Sequence, residues 1–186
     1  MDISERGTQN EKDILCIDKV LSGDKNAFRA LVESYERRLR SFCRSRLPEK
    51  EIDDSMQEIF VKTYRNLKKF HRDQNFAAWF FTIAFNTIAG RKLKFKREIE
   101  KKEQLTIFAH KIPSHNEGQA HLEAEFIRNC VKKLKTDNRS VVELYYFAEL
   151  DVGQISKALS IGESSVKTRL FRARKELRKY LEECNL

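Results

Sequence analysis

The final helix-length run of the chain presents an almost unbroken row of hydrogen-bond donors. Between Ser164 and Tyr180 there are seven Lys and Arg residues and one acid, Glu176. Solvated helix faces usually alternate in sign, so the alternative of a basic face that only keeps the protein soluble is disfavoured. Arg and Lys hold phosphates, and small hydroxyl residues at a helix N-terminus reach base edges, so the pattern favours DNA binding. The candidate contacts are Ser164, Ser165, Lys167, Thr168, Arg169, Phe171, Arg172 and Lys175.

A second set of candidate residues mixes aromatic, amide and cationic side chains. Such side chains capture bases that have left the stack, while a positive groove follows the single strand. Trp79 and Phe80 are expected in the core, whereas Phe81 and Phe85 fall off the main apolar stripe of their helix. The candidates in the loop and the following helix are His71, Arg72, Asn75, Phe76, Asn86, Arg91, Lys92 and Lys94.

An acidic island interrupts the basic first half. A surface that faces DNA would avoid acids, so a protein partner is the better explanation for Glu49, Glu51 and Glu58. For Asp53 and Asp54, complementing the dipole of a helix start explains the charge equally well. No DxD or HExxH array and no nucleophile with a base accompanies these acids, so we expect no catalytic site, no metal and no cofactor.

Helices position all of these residues. Apolar residues at steps of three and four predict a short helix closed by Gly23, then three longer helices that form a small bundle. Asp24 is expected to cap the first long helix, and Pro48 marks its end. After a basic stretch from Lys94 to Lys102, periodicity is lost. A second helical unit follows, with Asp137 or Asn138 expected as a cap.

The end of the chain has the layout of a helix-turn-helix. Asp151 can cap a short helix, with Gln154 as its capping-box partner. The run from Ser160 to Gly162 makes a tight turn, and a long helix follows with an apolar face. In such a motif the second helix enters the major groove of DNA.

Composition narrows the class of protein. The chain has 186 residues, a formal net charge of +9 and few turn-forming residues, with 6 Gly and 2 Pro, which favours a helical protein with a polyanionic partner. Four scattered cysteines suggest neither a zinc module nor a disulfide framework. The polar N-terminus and the lack of a long apolar run predict a cytoplasmic protein that does not insert into a membrane.

Three segments together resemble one known family. The run from Val166 to Leu177 looks like the end of region 4 of sigma-70 factors, with Ser160 at a turn position often filled by Gly. The runs from Asp53 to Tyr64 and from Phe76 to Ile88 resemble the polymerase-binding and promoter-melting parts of region 2. Both halves in this order, with a short linker, are similar to the extracytoplasmic-function (ECF) group.

The resemblance implies a fold and a function. The fold is all-α, with a region 2 bundle over residues 10–100, a flexible linker over 101–121 and a region 4 helix-turn-helix over 122–186. The implied protein is not an enzyme: it binds core RNA polymerase and promoter DNA and directs initiation, with an anti-sigma factor as a further expected partner. Region 4 would read the minus-thirty-five element, and the second set of candidates the minus-ten element. The implied polymerase-binding residues are Asp54, Gln57, Glu58 and Phe60.

Three other classes of protein share parts of this pattern. A two-domain repressor or activator would have the C-terminal half, but would not need the acidic island or the aromatic helix. A nuclease or recombinase would need a catalytic set. A membrane-surface protein would need an exposed apolar face, whereas the apolar faces here are required for the bundles.

Overall fold

The computed structural model describes residues 3–103 and 119–183, and within them every regular element is a helix, as expected. The first domain contains α1 (Ile3–Leu21), α2 (Ala27–Arg46), α3 (Ile52–Asn66) and α4 (Phe76–Glu103). The second contains α5 (Gln119–Lys133), α6 (Thr136–Val142), α7 (Val152–Leu159) and α8 (Glu163–Glu183). Short 3-10 turns lie at Glu49–Glu51 and Leu67–Lys69, and a π-helix spans Glu143–Phe147.

Helix α2 forms the centre of the first domain. Its stripe at helical spacing, which includes Leu31, Tyr35, Leu39 and Phe42, is buried as predicted. The rings of α4 surround it, with the Phe80 and Tyr35 centroids 4.9 Å apart. Burial of these large side chains supplies the main free energy that holds the bundle together.

One core assignment was wrong. Phe81 was expected off the apolar stripe of α4, yet it is fully buried and its ring lies 5.7 Å from that of Phe42. Phe85 is half-buried beneath the guanidinium of Arg46, at 4.4 Å from ring centroid to Cζ. The physical reason is that α2 covers this side of α4 as well, since the Phe81 ring also lies 6.4 Å from that of Tyr35.

The sequence predicted one helix end correctly and two helix caps wrongly. Gly23 adopts a φ of +112°, which closes α1 as expected. Asp24 was expected to cap α2, but the N-cap is Asn26, and the Asp24 carboxylate instead accepts the backbone N–H of Asn26 at 3.0 Å. Neither Asp137 nor Asn138 caps α6, because that helix already begins at Thr136, with Lys135 as its N-cap.

The two domains pack directly against each other. Helix α7 lies against α4, and the π-helix lies against α2. Helices α4 and α5 extend into the predicted linker from both ends, and the rest of that linker, residues 104–118, lies outside the described residues. In the part of the chain that the structure describes, no helix is long and apolar enough to cross a membrane.

Candidate nucleic-acid and protein interfaces

The turn between α7 and α8 sets the direction of α8. Asp151 accepts the backbone N–H of Gln154 at 2.8 Å, and the Gln154 side chain accepts that of Asp151 at 3.0 Å, so the predicted capping box is present. Ser160 adopts a left-handed φ of 53° at the end of α7. The Ser156 hydroxyl donates to the Ile161 carbonyl at 2.6 Å and ties the turn back to α7. These bonds fix α8 on the surface of its domain.

Helix α8 separates an apolar face from a donor-rich face. Val166, Leu170 and Ala173 are buried against the domain core. Phe171 is 71% exposed, an unusual position for a large apolar ring. Of the eight predicted contacts, Ser165 and Arg169 are half-buried; the exposed ones are Ser164, Lys167, Thr168, Phe171, Arg172 and Lys175.

A groove of about 680 Å³ runs between the start of α6 and the N-terminal half of α8. Ser164, Thr168 and Arg172 line one wall of it, and Lys135 and Thr136 line the other. Hydroxyl and cationic donors in such a groove suit phosphate and base-edge acceptors.

One acid in this groove was not anticipated. The carboxylate of Asp137 accepts from Arg169 at 3.2 Å, so Arg169 already has a partner within its own domain. Nothing in the local pattern of α6 signals this ion pair, because its two residues are 32 positions apart. Asp137 is exposed, and a phosphate that approached Arg169 would have to compete with it for the same guanidinium.

Not every cation of α8 faces this groove. The guanidinium of Arg174 lies 5.4 Å from the ring centroid of Tyr145, and its Nε donates to the Tyr146 hydroxyl at 3.0 Å. This hydrogen bond raises the pKa of Arg174. Arg174 therefore packs against the aromatic residues of the π-helix rather than lining the donor-rich groove.

The loop before α4 is held by contacts from other helices. Arg72 pairs with Asp18 of α1 at 2.6 Å, and the Asn75 side chain accepts the backbone N–H of Ala78 at 3.0 Å, capping α4. His71 is exposed. Phe76 is fully buried, so it supports the loop from below and does not present its ring to solvent.

A buried polar pair lies beneath the same loop. The Tyr35 hydroxyl donates to Asp13 at 2.5 Å, and Gln9 donates to the same carboxylate at 2.9 Å. Burial raises the pKa of Asp13 above its ordinary value of 3.8, and the hydrogen bonds from Tyr35 and Gln9 oppose that shift.

An open pocket of about 350 Å³ lies between α3 and α4, and the sequence pattern missed most of it. Of the predicted residues, Asn86 alone lines it. Helical spacing could have signalled the rest, since positions 62, 66 and 69 share one face of α3 and the following turn. The lining residues not anticipated include Lys62, Asn66, Lys69 and the half-buried Trp79.

The remaining basic candidates lie further along α4. Arg91 donates to Glu58 at 2.7 Å and to the Ser55 hydroxyl at 3.0 Å, which joins a predicted DNA contact to a predicted polymerase contact. Lys92 and Lys94 belong to α4, but their side chains lie outside the described part of the structure.

The acidic island divides into paired and outward-facing residues. Asp53 accepts from Arg40 at 2.8 Å. Hydrogen bonds from Lys62, first, and from Arg91 hold the pKa of Glu58 below its ordinary value. Asp54 and Gln57 are exposed on the outer face of α3, whereas half-buried Phe60 packs on Phe80 with centroids 5.6 Å apart. Within the described residues, no group of three His, Cys, Asp or Glu side chains could hold a metal.

Models of known protein families match both halves of the chain. Residues 31–97 match the model for sigma-70 region 2, and residues 126–177 match that for sigma-70 region 4. The first range contains α3 and the start of α4, and the second contains the helix-turn-helix.

Full-length relatives agree with these matches. The ECF RNA polymerase sigma factor SigW of Bacillus subtilis is 30% identical over 178 residues, which cover 90% of this chain and 95% of that protein. The ECF sigma-E factor of Escherichia coli K12 is 26% identical over 175 residues, covering 89% and 92%.

Among solved structures, CnrH in complex with the cytosolic domain of CnrY superposes with a TM-score of 0.72 at 25% identity, covering 92% of this chain and 98% of that one. The sigma factor RpoE of Bartonella quintana, solved with the anti-sigma factor NepR, has the same fold, with a TM-score of 0.69 at 22% identity, covering 83% and 96%.

Proposed function

The chain belongs to the ECF group of sigma-70 family RNA polymerase sigma factors, and from that premise we propose which of its residues perform each part of the work. As a sigma factor it is not an enzyme; it binds core RNA polymerase and DNA and directs transcription initiation. The proposal concerns three surfaces: the donor face of α8, the α3–α4 pocket with its neighbouring loop, and the outer face of α3.

The donor face of α8 reads the minus-thirty-five duplex. The observation that supports this assignment is the exposure of Ser164, Lys167, Thr168 and Arg172 on one side of a helix whose other side is buried. A rigid helix holds donors in a register that matches base edges and phosphates. Lys175 lies one turn beyond Arg172 and extends the phosphate-binding row.

The α3–α4 pocket and the adjacent loop receive the melted minus-ten strand. Trp79 offers a ring face for stacking, Asn66 and Asn86 offer amide groups, and Lys69 offers a charge for the backbone. Base stacking on an aromatic side chain contributes about 1–3 kcal/mol per base, which offsets the cost of unstacking. His71 and Arg72 lie in the adjacent loop before α4.

The outer face of α3 binds the polymerase. Asp54 and Gln57 are exposed there, while Glu58 and Phe60 position the helix through Arg91 and Phe80. An acidic face in a chain of net charge +9 repels DNA and suits a basic protein partner.

Reconstitution with sigma-free core polymerase and genomic fragments tests this assignment. We expect Arg172→Ala to weaken binding of a minus-thirty-five duplex and Asn86→Ala to weaken opening of the same promoter, with polymerase binding intact in both. Arg44→Ala is a matched control, because Arg44 is an exposed arginine paired with Glu49 inside the first domain at 3.1 Å. Loss of polymerase binding in either test variant, or equal effects on both DNA elements, contradicts the division of labour.

Two finer expectations belong to the same proposal. The protein acts in the cytoplasm, where the polymerase is, and an anti-sigma factor binds it. CnrH, which this chain resembles over nearly its full length, is seen with the cytosolic domain of another protein, CnrY. Co-purification of the chain with products of neighbouring genes tests the second expectation. Equal binding to core polymerase with and without each of those products would remove its support.

A further inference from the structure

The groove between α6 and α8 contains acids that oppose the ligand proposed for it. Of the described residues that line the groove, three are cationic, namely Lys135, Arg169 and Arg172, and two are acidic, Asp137 and Glu176. A surface that only had to attract DNA would avoid acids, because sequence-independent affinity rises with each phosphate that a cation neutralises. The two carboxylates therefore need a separate explanation.

Packing explains Glu176. Its carboxylate accepts a hydrogen bond from the side-chain amide of Asn138 at 3.1 Å, and Asn138 is buried. A buried amide requires hydrogen-bond partners, so Glu176 satisfies one of its donors and joins the start of α6 to α8. Glu176 therefore holds the two helices together, and Asp137 is the acid that remains to be explained.

Asp137 pairs with Arg169 across the same groove. The side chain of Asp137 is 71% exposed and that of Arg169 is 27% exposed, and 3.2 Å separates Oδ2 of the first from Nη2 of the second. The next residue, Asn138, is bonded to Glu176, which lies about two turns beyond Arg169 on α8. The backbone that carries Asp137 is thus fixed against α8, and a phosphate that bound Arg169 would have to replace this carboxylate.

Helix polarity supplies the main alternative explanation for Asp137. The residue lies in the first turn of α6, where a negative charge stabilises the positive end of a helix. This role predicts that loss of the charge lowers stability and leaves DNA binding unchanged. It does not account for the bond to Arg169, which belongs to another helix.

Matched and unmatched DNA make different demands on Arg169. An unmatched duplex is held through its phosphates, so it can shift along α8 until a phosphate reaches each available cation. In the matched complex, base contacts made by the donor face of α8 fix the register, which leaves the phosphates less freedom to reach Arg169. An acid that occupies Arg169 therefore weakens the unmatched complex more than the matched one. This step rests on the proposed function of α8.

We propose that Asp137 is a specificity-determining residue, which occupies Arg169 and so lowers the affinity of α8 for unmatched DNA. It acts without contacting a base. Specificity is a ratio of affinities, so it rises when the wrong complex is weakened as well as when the right one is strengthened. Here the unmatched complex loses a phosphate contact, and the ratio of matched to unmatched affinity increases.

Fluorescence anisotropy of the full chain with two labelled duplexes tests the proposal. One duplex carries the minus-thirty-five element of a promoter found by reconstitution, and the other carries the same bases in scrambled order. We expect Asp137→Asn to bind the scrambled duplex severalfold more tightly, with a slope of log K against log salt that is steeper by about 1, and to gain less on the matched duplex.

Glu36→Gln is the matched control. It removes one negative charge from another exposed acid–arginine pair, in which Glu36 lies 3.3 Å from Arg40 within α2 of the first domain. The ratio of matched to scrambled affinity should fall for Asp137→Asn and stay at the parent value for the control. Asp137→Glu keeps the charge and should also behave as the parent does.

A double variant tests whether Asp137 acts through Arg169. In an Arg169→Ala background, Asp137→Asn should leave the scrambled-duplex affinity and the salt slope where Arg169→Ala alone sets them, because no guanidinium remains to be released. A full gain in that background overturns the proposal, since Asp137 would then repel phosphates directly.

The remaining outcomes also decide the matter. Equal gains on both duplexes, or a loss of stability in urea with unchanged DNA binding, overturn the proposal, and the second result is the one that helix polarity predicts. A loss on the matched duplex overturns it as well, because Asp137 would then position Arg169 for DNA. If the proposed function of α8 fails instead, Arg172→Ala and Asp137→Asn will both leave DNA binding unchanged, whereas failure of this inference alone leaves the Arg172→Ala defect intact.

Discussion

The two surfaces proposed to bind DNA differ in how far their side chains are already engaged within the chain. The donor face of α8 projects into solvent from a helix fixed by a capping box and a buried apolar face. The loop before α4 is instead engaged by its own chain, through Asp18 on Arg72 and Gln154 on Asn75. On the proposed assignment, the first surface would bind duplex DNA as it stands, whereas the second would have to exchange internal partners for a strand. This difference suits a factor that meets an intact duplex before it melts one.

The largest expected effect is a loss of stability on removing Phe76, which supports the loop before α4. Phe76→Ala removes a fully buried ring that packs on Tyr35 and Phe70 at 5.4 and 5.5 Å. We expect a loss of about 3–5 kcal/mol in the free energy of unfolding, measured with urea, because a cavity replaces the ring. A variant of normal stability with a defect only in promoter opening would make Phe76 a DNA contact and not a support.

The next largest effect concerns the donor face of α8. Arg172→Ala should cost about 1–3 kcal/mol of minus-thirty-five binding, roughly 5- to 150-fold in Kd, with no change in stability because the side chain is exposed. Arg169→Ala should cost less, since Arg169 must first leave Asp137. Fluorescence anisotropy with a labelled duplex measures both. A larger loss for Arg169 would mean that the Asp137 pair positions that arginine for DNA.

The sequence predicted the donor face of α8 better than the loop before α4, for a physical reason. The capping box, the left-handed Ser160 and the charge of α8 are local features, set by residues a few positions apart. The partners of Arg72, Asn75 and Arg46 lie 54, 79 and about 97 positions away along the chain, where periodicity carries no information. Phe81 was misplaced for the same reason, because its burial depends on Tyr35 and Phe42 of α2, 46 and 39 positions earlier in the chain.

A smaller effect is the pH dependence of stability that Asp13, beneath the loop before α4, should cause. The raised pKa of Asp13 means that the folded state binds its proton more tightly than the unfolded state. Its stabilising contribution is therefore complete below the ordinary value of 3.8 and is lost as pH rises through the folded pKa. Asp13→Asn does not titrate, so its stability should improve relative to the parent as the pH rises above 3.8 and through the folded pKa of Asp13. Urea midpoints of both proteins across that range measure the difference. Parallel profiles would show that the buried pair does not titrate with folding.

The smallest expected effect separates phosphate contacts from base contacts on the donor face of α8. Lys175 is exposed one turn beyond Arg172, and we expect it to contact the backbone of the duplex rather than a base edge. Lys175→Ala should weaken binding almost equally for matched and mismatched duplexes and reduce the slope of log K against log salt by about 1. Arg172→Ala should instead narrow the difference between matched and mismatched duplexes. If Lys175→Ala narrows it as well, base reading extends a full turn further along α8 than the donor face implies.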